Sequence, residues 1–433
     1  MPLQSDLPPA PLSSLAADEP WVAAVEAFRL RHPRRRDRIE DYDRLLGAGD
    51  HRRIGEDVLA GRHRPEPPAE AWVNKVDGRK KRVFQYPPAD ELLFRVVNRL
   101  LQPAATRAAS PWCRSFLPGG GARAAFRTVL GDRDVVAKAA LRLDVRDYFN
   151  SIDVVDLLVR VPAWFDGDPA VAGLLRAALL DPRVERNGVV VDGGRKGVMA
   201  GTPLAPLLAT LYLRELDHEV GALATYARYS DDILVLAPPA ELPALERRAR
   251  AHLAERGLEV NEAKSAVAGP GEPWDFLGFR YNHTLVGLAP LTAGKLKARA
   301  TRLARGLLRW RERSEAPPER AVEAFFRRTN RRLFSVPEER AEFSWATWFL
   351  PMLDRPDGLG PLDEHIQREA RYAATGRRTA RARQLVTYAS MVEAGHLPLV
   401  HAYWSMHEGP GSYDALVARR TRPTPPGWPA PRR

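Results

Sequence analysis

The string Tyr229-Ser230-Asp231-Asp232 lies between two short apolar-leaning runs, Thr225 to Ser230 and Ile233 to Leu236. Two such runs joined through a polar bend predict a β-hairpin with adjacent carboxylates at its tip. Adjacent like charges repel, so a fold that sets them side by side needs a compensating cation. Hard oxygen donors favour Mg²⁺ or Mn²⁺ for that task. Surface turns also carry Asp-Asp for solubility alone, so a catalytic reading needs a further carboxylate from elsewhere in the chain. Leu141 to Asp153 supplies a candidate: an apolar strand ending at Asp144, then Asp147, Tyr148 and Phe149, with Ser151 placed to cap a helix through Val154, Leu157 and Leu158.

A strand-terminal aspartate followed by an aromatic pair and a capped helix resembles motif A of reverse transcriptases, and Tyr-Ser-Asp-Asp resembles their motif C. Gly197-Val-Met-Ala200-Gly201-Thr-Pro203, followed by an apolar run to Leu213, is similar to motif B. Leu258 to Ser265, with Asn261 and Lys264, is similar to motif D, and Phe276-Leu277-Gly278-Phe279 to the primer-grip motif E. The five follow the family's order between about residues 75 and 285. The resemblance implies an α+β right-hand polymerase with fingers, a palm built on an antiparallel sheet and a helical thumb, plus a helical C-terminal region. The expected divisions are an N-terminal extension over 1–65, fingers and palm over 66–285, thumb-like basic helices over 286–335, a helical region over 336–418 and a basic tail over 419–433.

The resemblance also implies roles. Asp144 and Asp231 would bridge two magnesium ions, with manganese as a substitute, Asp232 would support the site, and the Val145 carbonyl would complete one ion's shell. Lys264 matches the lysine proposed to protonate pyrophosphate, a role open to any amine poised near a dianionic leaving group. Phe149 stands where the family carries its sugar gate, a ring that collides with a 2′-hydroxyl and favours dNTPs. Lys80, Lys81, Arg82 and Arg123 are the cations available to the triphosphate, and Ala200 and Gly201 belong to the nucleotide pocket. Two departures stand out. The motif B glutamine is replaced by Ala200, a lost amide contact worth about 1 kcal/mol of dNTP binding, and Leu117 replaces an arginine common ahead of the Pro118–Gly121 loop in group II intron enzymes. The second points to the retron-like and defence-associated bacterial relatives.

Outside the motifs, Pro87, Pro88 and Asp90 open a helix bearing Leu92, Leu93, Val96, Val97 and Leu100 at helical spacing. Lys75 to Phe84 reads as a hairpin turning at Asp77-Gly78. Thr292 to Arg313 is amphipathic: Leu296, Ala300, Leu303, Leu307 and Trp310 form a stripe, and Lys295, Arg299, Arg302, Arg305, Arg309 and Arg313 lie off it. At a thumb's position that basic face is a candidate phosphate contact. Near the start, Val22, Val25, Phe28 and Leu30 suggest a short helix, and residues 1–20 read as disordered or loosely docked.

The net charge of +12 fits a polyanionic partner, though a solvated basic surface gives the same total. Only eight of the 66 basic residues are lysines. The single Cys113 excludes an intramolecular disulfide and a cysteine-based zinc cluster. No stretch is long and apolar enough to span a membrane, and the start lacks a signal peptide's pattern, so the expected location is the cytoplasm. The leading expectation is RNA-directed DNA synthesis on an RNA template from a DNA or RNA primer, with a dedicated non-coding RNA and antiviral defence suggested by lineage alone. Template-independent or protein-primed synthesis, suggested by Ala200, and a maturase-like RNA-binding scaffold remain alternatives.

Overall fold

Apolar side chains at 92, 93, 96, 97 and 101 fall on one face of the helix Pro88–Ala108, and all five are at most 1 % exposed. Pro88 opens the helix, where a missing N–H costs nothing. Asp90 does not cap it; its buried carboxylate accepts the Glu66 N–H at 2.8 Å and meets His63 Nε2 at 2.8 Å. The computed structural model describes residues 10–74, 80–282, 284–334 and 344–420, and its contacts divide the chain into two units, Met1–Glu272 and Pro273–Arg433. The turn expected at Asp77-Gly78, the first nine residues, Phe343 and the tail from 421 lie outside the described residues.

The described strands are β1 (Ala69–Asn74), β2 (Lys80–Gln85), β3 (Ala139–Asp144), β4 (Arg183–Arg186), β5 (Val189–Asp192), β6 (Thr225–Tyr229), β7 (Asp232–Ala237), β8 (Ala266–Ala268), β9 (Trp274–Phe276), β10 (Phe279–Asn282) and β11 (Leu285–Leu288). In the first unit, β2-β1-β4-β5 form one sheet and β6-β7-β3-β8 another. β1 and β2 pair antiparallel from Ala69↔Gln85 to Asn74↔Lys80, as the expected hairpin requires. In the second sheet every ladder is antiparallel. Ile233 to Ala237 are each at most 1 % exposed, so β7 lacks the alternation of a half-buried strand because both of its faces are covered. This α+β arrangement of an antiparallel sheet packed under helices is the fingers-and-palm architecture expected of a right-hand polymerase.

Three local expectations need correction. Leu12 and Leu15 are fully buried, Leu12 N–H donates to Asp168 Oδ2 at 3.1 Å, and Trp21 Nε1 donates to the Leu15 carbonyl at 2.8 Å, so residues 10–20 are docked rather than loose. In the helix Asp18–Arg31 the buried face is Trp21, Ala24, Val25 and Phe28, whereas Val22 and Leu30 are exposed, because the helical repeat sets the stripe by the tryptophan. Asp153, not Ser151, caps the helix Val154–Trp164: its carboxylate accepts the N–H groups of Val155 and Asp156, while Ser151 Oγ donates to the Arg146 carbonyl.

In the second unit, β9, β10 and β11 form a small antiparallel sheet. The expected amphipathic helix runs from Pro290 to Ser314. Leu296, Ala300 and Leu307 are buried, with Ala304 and Leu308 joining them, while Leu303 and Trp310 are half-buried. The basic side chains off the stripe are exposed, and the helix packs on Pro318–Leu333 and Gly360–Thr375. Helices continue from Trp345 to Arg420, as expected for the C-terminal region.

Candidate active site

β3 and β7 pair so that Asp144 stands directly opposite Asp232. The hairpin between β6 and β7 closes on Tyr229↔Asp232, leaving Ser230 and Asp231 as a two-residue turn. Ser230 has φ +60, a left-handed conformation of the kind tight hairpins require. The ladder extends past the strand end, since Val145 N–H donates to the Asp231 carbonyl at 3.1 Å. Asp144 therefore comes to the same edge of one sheet as Asp231 and Asp232, nearly ninety positions away in sequence, with Asp232 on the strand rather than at the tip.

On the other side of Asp144 lies the segment Glu259 to Lys264. Asn261 N–H donates to the Asp144 carbonyl at 2.7 Å and Asn261 Nδ2 to its Oδ1 at 2.8 Å. Lys264 Nζ reaches both carboxylate oxygens, at 3.0 and 2.8 Å. Asp144 is 4 % exposed at its side chain and Lys264 41 %, so the amine also faces solvent. Asn261, with no role expected of it, holds Asp144 as firmly as Lys264 does; its signal was its place three residues before the lysine.

Burial, then the Asp144 charge, raises the Asp231 carboxyl above the usual carboxylate range. Asp232 is pushed up to about 7 by burial, then by Asp231 and Asp144, against the opposing pull of Arg142 and Lys264. The site is thus short of positive charge. Hard carboxylate oxygens crowded where their ionised forms are disfavoured fit a divalent cation. In this arrangement the Asp144 carboxylate is turned onto Lys264 and Asn261. Among the described residues, no three acidic, histidine or cysteine side chains converge to hold an ion.

Strand alternation separates the fingers cations. Arg82 is taken up by structure: its Nη2 donates to Glu70 Oε2 at 2.8 Å and to the Gly193 carbonyl at 2.7 Å, and its Nη1 to the Arg195 carbonyl at 2.8 Å. Lys81 points the other way, with Nζ 5.4 Å from the centroid of the half-buried Phe149 ring. Lys80 is exposed. Arg123 lies in the first turn of the helix Ala122–Leu130 and is half-buried. Of the four, Lys81 is the one brought to Phe149. Phe149 also meets Tyr148 at 5.8 Å and Phe116 at 6.4 Å, and Phe116 in turn meets Tyr229 at 5.4 Å between ring centroids. Phe116, unremarked in the sequence, ties the aromatic gate position to the hairpin.

Ala200 is 2 % exposed and stitched in place: its N–H donates to Asn150 Oδ1 at 3.1 Å and its carbonyl accepts the Phe84 N–H at 2.8 Å. Gly201 is exposed with φ +104, and a Cβ there would stand 2.9 Å from the Phe84 carbonyl oxygen. The close approach of motif B to β2 therefore demands glycine. The apolar helix expected after this loop is Ala205–Tyr212. Phe276, Leu277 and Gly278 fall in the second unit, at the bend between β9 and β10; Leu277 has φ +52, Gly278 has φ +91, and the Gly278 carbonyl accepts from Thr292 Oγ1 at 2.9 Å. Lys295, Arg299, Arg302 and Arg309 share that unit on the exposed face of Pro290–Ser314.

At one end of the β6-β7-β3-β8 sheet stand Asp144, Asp231 and Asp232, and the Ala200–Gly201 loop is held against β2. Residues 79–281, just under half of the chain, match the family described as "Reverse transcriptase (RNA-dependent DNA polymerase)", so this stretch is similar to a reverse transcriptase domain. Among solved structures, apo telomerase from Candida tropicalis, truncated from its C-terminal domain, aligns at 12 % identity with a TM-score of 0.42. That alignment covers 52 % of this chain and 56 % of the telomerase chain. No curated protein sequence matches. Among the described residues no helix is long and apolar enough to cross a membrane.

Proposed function

We propose that the protein extends a primer 3′-hydroxyl with dNTPs on an RNA template. The observation that carries this reading is the register that sets Asp144 against Asp232, with Asp231 in the adjoining turn. Asp144, Asp231, Asp232 and the Val145 carbonyl would hold two divalent ions, Mg²⁺ or Mn²⁺, whose chemistry in this reaction class is to activate the 3′-oxygen and to neutralise the triphosphate and leaving pyrophosphate. The 3′-oxygen attacks the α-phosphorus, and the bond to the pyrophosphate oxygen breaks. Lys264, its amine facing solvent beside Asp144, is placed to deliver a proton to the leaving pyrophosphate. Lys81 offers a cation to the triphosphate next to Phe149, whose ring excludes a 2′-hydroxyl. Phe276 to Gly278 would grip the primer, and Lys295, Arg299, Arg302 and Arg309 would contact phosphates of the duplex through charge rather than sequence.

The finer placement among the group II intron and retron-like bacterial enzymes rests on motif order and on Leu117. A dedicated RNA partner and a role in phage defence in the cytoplasm follow from that placement alone. Primer extension on an RNA template with Mg²⁺ and dNTPs tests the reaction. Sequencing of the product separates templated synthesis from untemplated addition, and equal activity in the Asp231→Ala/Asp232→Ala protein would overturn the assignment.

A further inference from the structure

The acidic turn is gripped from outside its own hairpin. Ser230 is 7 % exposed, so both of its backbone polar groups need partners within the protein. Its N–H donates to Ser115 Oγ at 2.6 Å, and its carbonyl accepts from Arg228 Nη1 at 3.3 Å. Ser115 is fully buried and more than a hundred positions away in the chain. Its own segment is anchored to the open edge of β6. Arg228 N–H donates to the Trp112 carbonyl at 3.3 Å, Arg114 N–H to the Arg228 carbonyl at 3.1 Å, and Cys113 pairs with Arg228 in a parallel bridge. Immediately after Ser115, Phe116 turns its ring onto Tyr229. Tyr229 and Ser230, the two residues that lead into Asp231, are thus each fixed by consecutive residues of one remote segment.

The arginine beneath the turn is itself immobilised. Arg228 is fully buried, its Nε and Nη2 bind Asp217 at 2.6 and 2.7 Å, and Nη2 also reaches the Thr210 carbonyl at 2.7 Å. A left-handed Ser230 carries a steric cost that glycine would avoid. A turn in that conformation keeps its geometry only when the surroundings over-determine it.

We propose that Ser115 is a positioning residue for the reaction: its hydroxyl oxygen, presented by the Trp112–Phe116 segment, fixes the Ser230 peptide and with it the direction of the Asp231 carboxylate. The catalytic consequence rests on the polymerase reading; the grip itself does not. A merely space-filling Ser115 would tolerate any side chain of its size, whereas a positioning oxygen demands an acceptor. Ser115→Thr keeps the acceptor, Ser115→Cys keeps the volume with a much weaker one, and Ser115→Ala removes it.

The test reads amide exchange at Ser230 and steady-state primer extension across these variants of the full chain, with melting temperature recorded for each. The expected result is exchange at Ser230 at least ten-fold faster in the Cys and Ala proteins, with the β3 and β7 amides unchanged. In the same two proteins kcat falls about ten-fold while KM for dNTP stays within two-fold, and Ser115→Thr restores both readouts. Should Ser115→Ala fail to fold, the Thr and Cys pair carries the comparison. Unchanged Ser230 exchange in the Cys protein overturns the grip, and losses that track melting temperature rather than the acceptor reduce Ser115 to packing. Faster exchange with unaltered kcat overturns the positioning role. A wild-type chain that makes no product refutes the polymerase reading while the exchange series still decides the grip.

Discussion

Removing the Lys264 charge should strengthen both metal binding and proton binding, because both compete with the amine for the same carboxylates. Lys264 Nζ contacts both oxygens of Asp144, at 3.0 and 2.8 Å, and a divalent ion has to draw that carboxylate from the amine. A hydrogen bond to a charged group contributes about 1.5–3 kcal/mol. Lys264 is 41 % exposed at its side chain, so solvent screening lowers the value to about 1 kcal/mol. In Lys264→Met at pH 9, above the point near 7 to which Asp232 is raised, Mg²⁺ should therefore bind about five-fold more tightly. Lys264 also opposes the rise of Asp232, which sits at about 7, but as the weakest of the influences on it. Loss of that more distant charge, about 0.5 kcal/mol, moves the acid limb of Mg²⁺ binding up by about 0.4 of a pH unit. Titration of Mn²⁺ or Mg²⁺ by calorimetry between pH 6 and 9 reads both effects without turnover. Lys264→Arg separates charge from chemistry: it should restore the wild-type binding profile, yet leave kcat low if the lysine delivers a proton to pyrophosphate. Identical binding curves for wild type and Lys264→Met would refute this account of the site's electrostatics.

Three further expectations follow from the same geometry. Asp231→Asn removes a carboxyl that burial and Asp144 both hold above its usual range, so it should raise the melting temperature at pH 8 without divalent ions while lowering kcat by at least about a thousand-fold; an unchanged or lower melting temperature would show that the carboxylate is already compensated. The same reasoning makes the wild-type protein less stable without metal as pH rises towards 7, because a folded-state Asp232 near 7 binds a proton that the unfolded chain has already released, and added Mg²⁺ should recover more stability at pH 8 than at pH 6. Phe149→Ala opens the wall shared with Lys81 and Phe116 and should erode discrimination against NTPs by up to about a hundred-fold, read as the ratio of kcat/KM for dNTP and NTP.

The carboxylates were legible in the sequence because Asp144 ends and Asp232 begins a strand whose apolar run is plain, with Asp231 in the turn beside it, and register does the rest. Asp144 and Asp232 needed no long-range guess once β3 and β7 were read as neighbours. The fingers cations were legible as a group and not individually. Lys80, Lys81 and Arg82 look alike in composition, and only the alternation of β2, together with Glu70 on the facing strand, sends Arg82 into structure and Lys81 towards Phe149. The cap was misassigned because Ser151 and Asp153 both suit the role, and the helix began two residues later than expected. Leu12 and Leu15 were obscured by the prolines, alanines and serines around them, although two leucines are enough to dock a short segment against Trp21 and the Asp168 carboxylate. Ser115 and Arg228 carry no local signature, since their partners are Ser230 and Asp217, which only the fold brings near.

Arg228 raises a question of charge that its pairing with Asp217 answers. A guanidinium fully buried beneath Asp231 would, on its own, supply the positive charge that the carboxylates lack, and so weaken their hold on a divalent ion. Asp217 cancels that charge at 2.6 and 2.7 Å, which leaves the arginine as a rigid donor to the Ser230 and Thr210 carbonyls with little net field. Backbone support and charge deficit can then coexist in one turn. Asp217→Asn keeps the size of the side chain and frees the cation. The buried charge left unpaired costs about 3–5 kcal/mol of stability, and the uncancelled guanidinium should lower the Asp231 carboxyl and weaken Mg²⁺ binding at pH 8 by about ten-fold. The paired change Asp217→Asn/Arg228→Gln removes both charges, and should recover Mg²⁺ affinity without recovering full kcat, because the donor to the Ser230 carbonyl is altered. Equal Mg²⁺ affinity in the single and paired variants would mean that Asp217 serves only to satisfy a buried arginine, and that the deficit at Asp231 owes nothing to it.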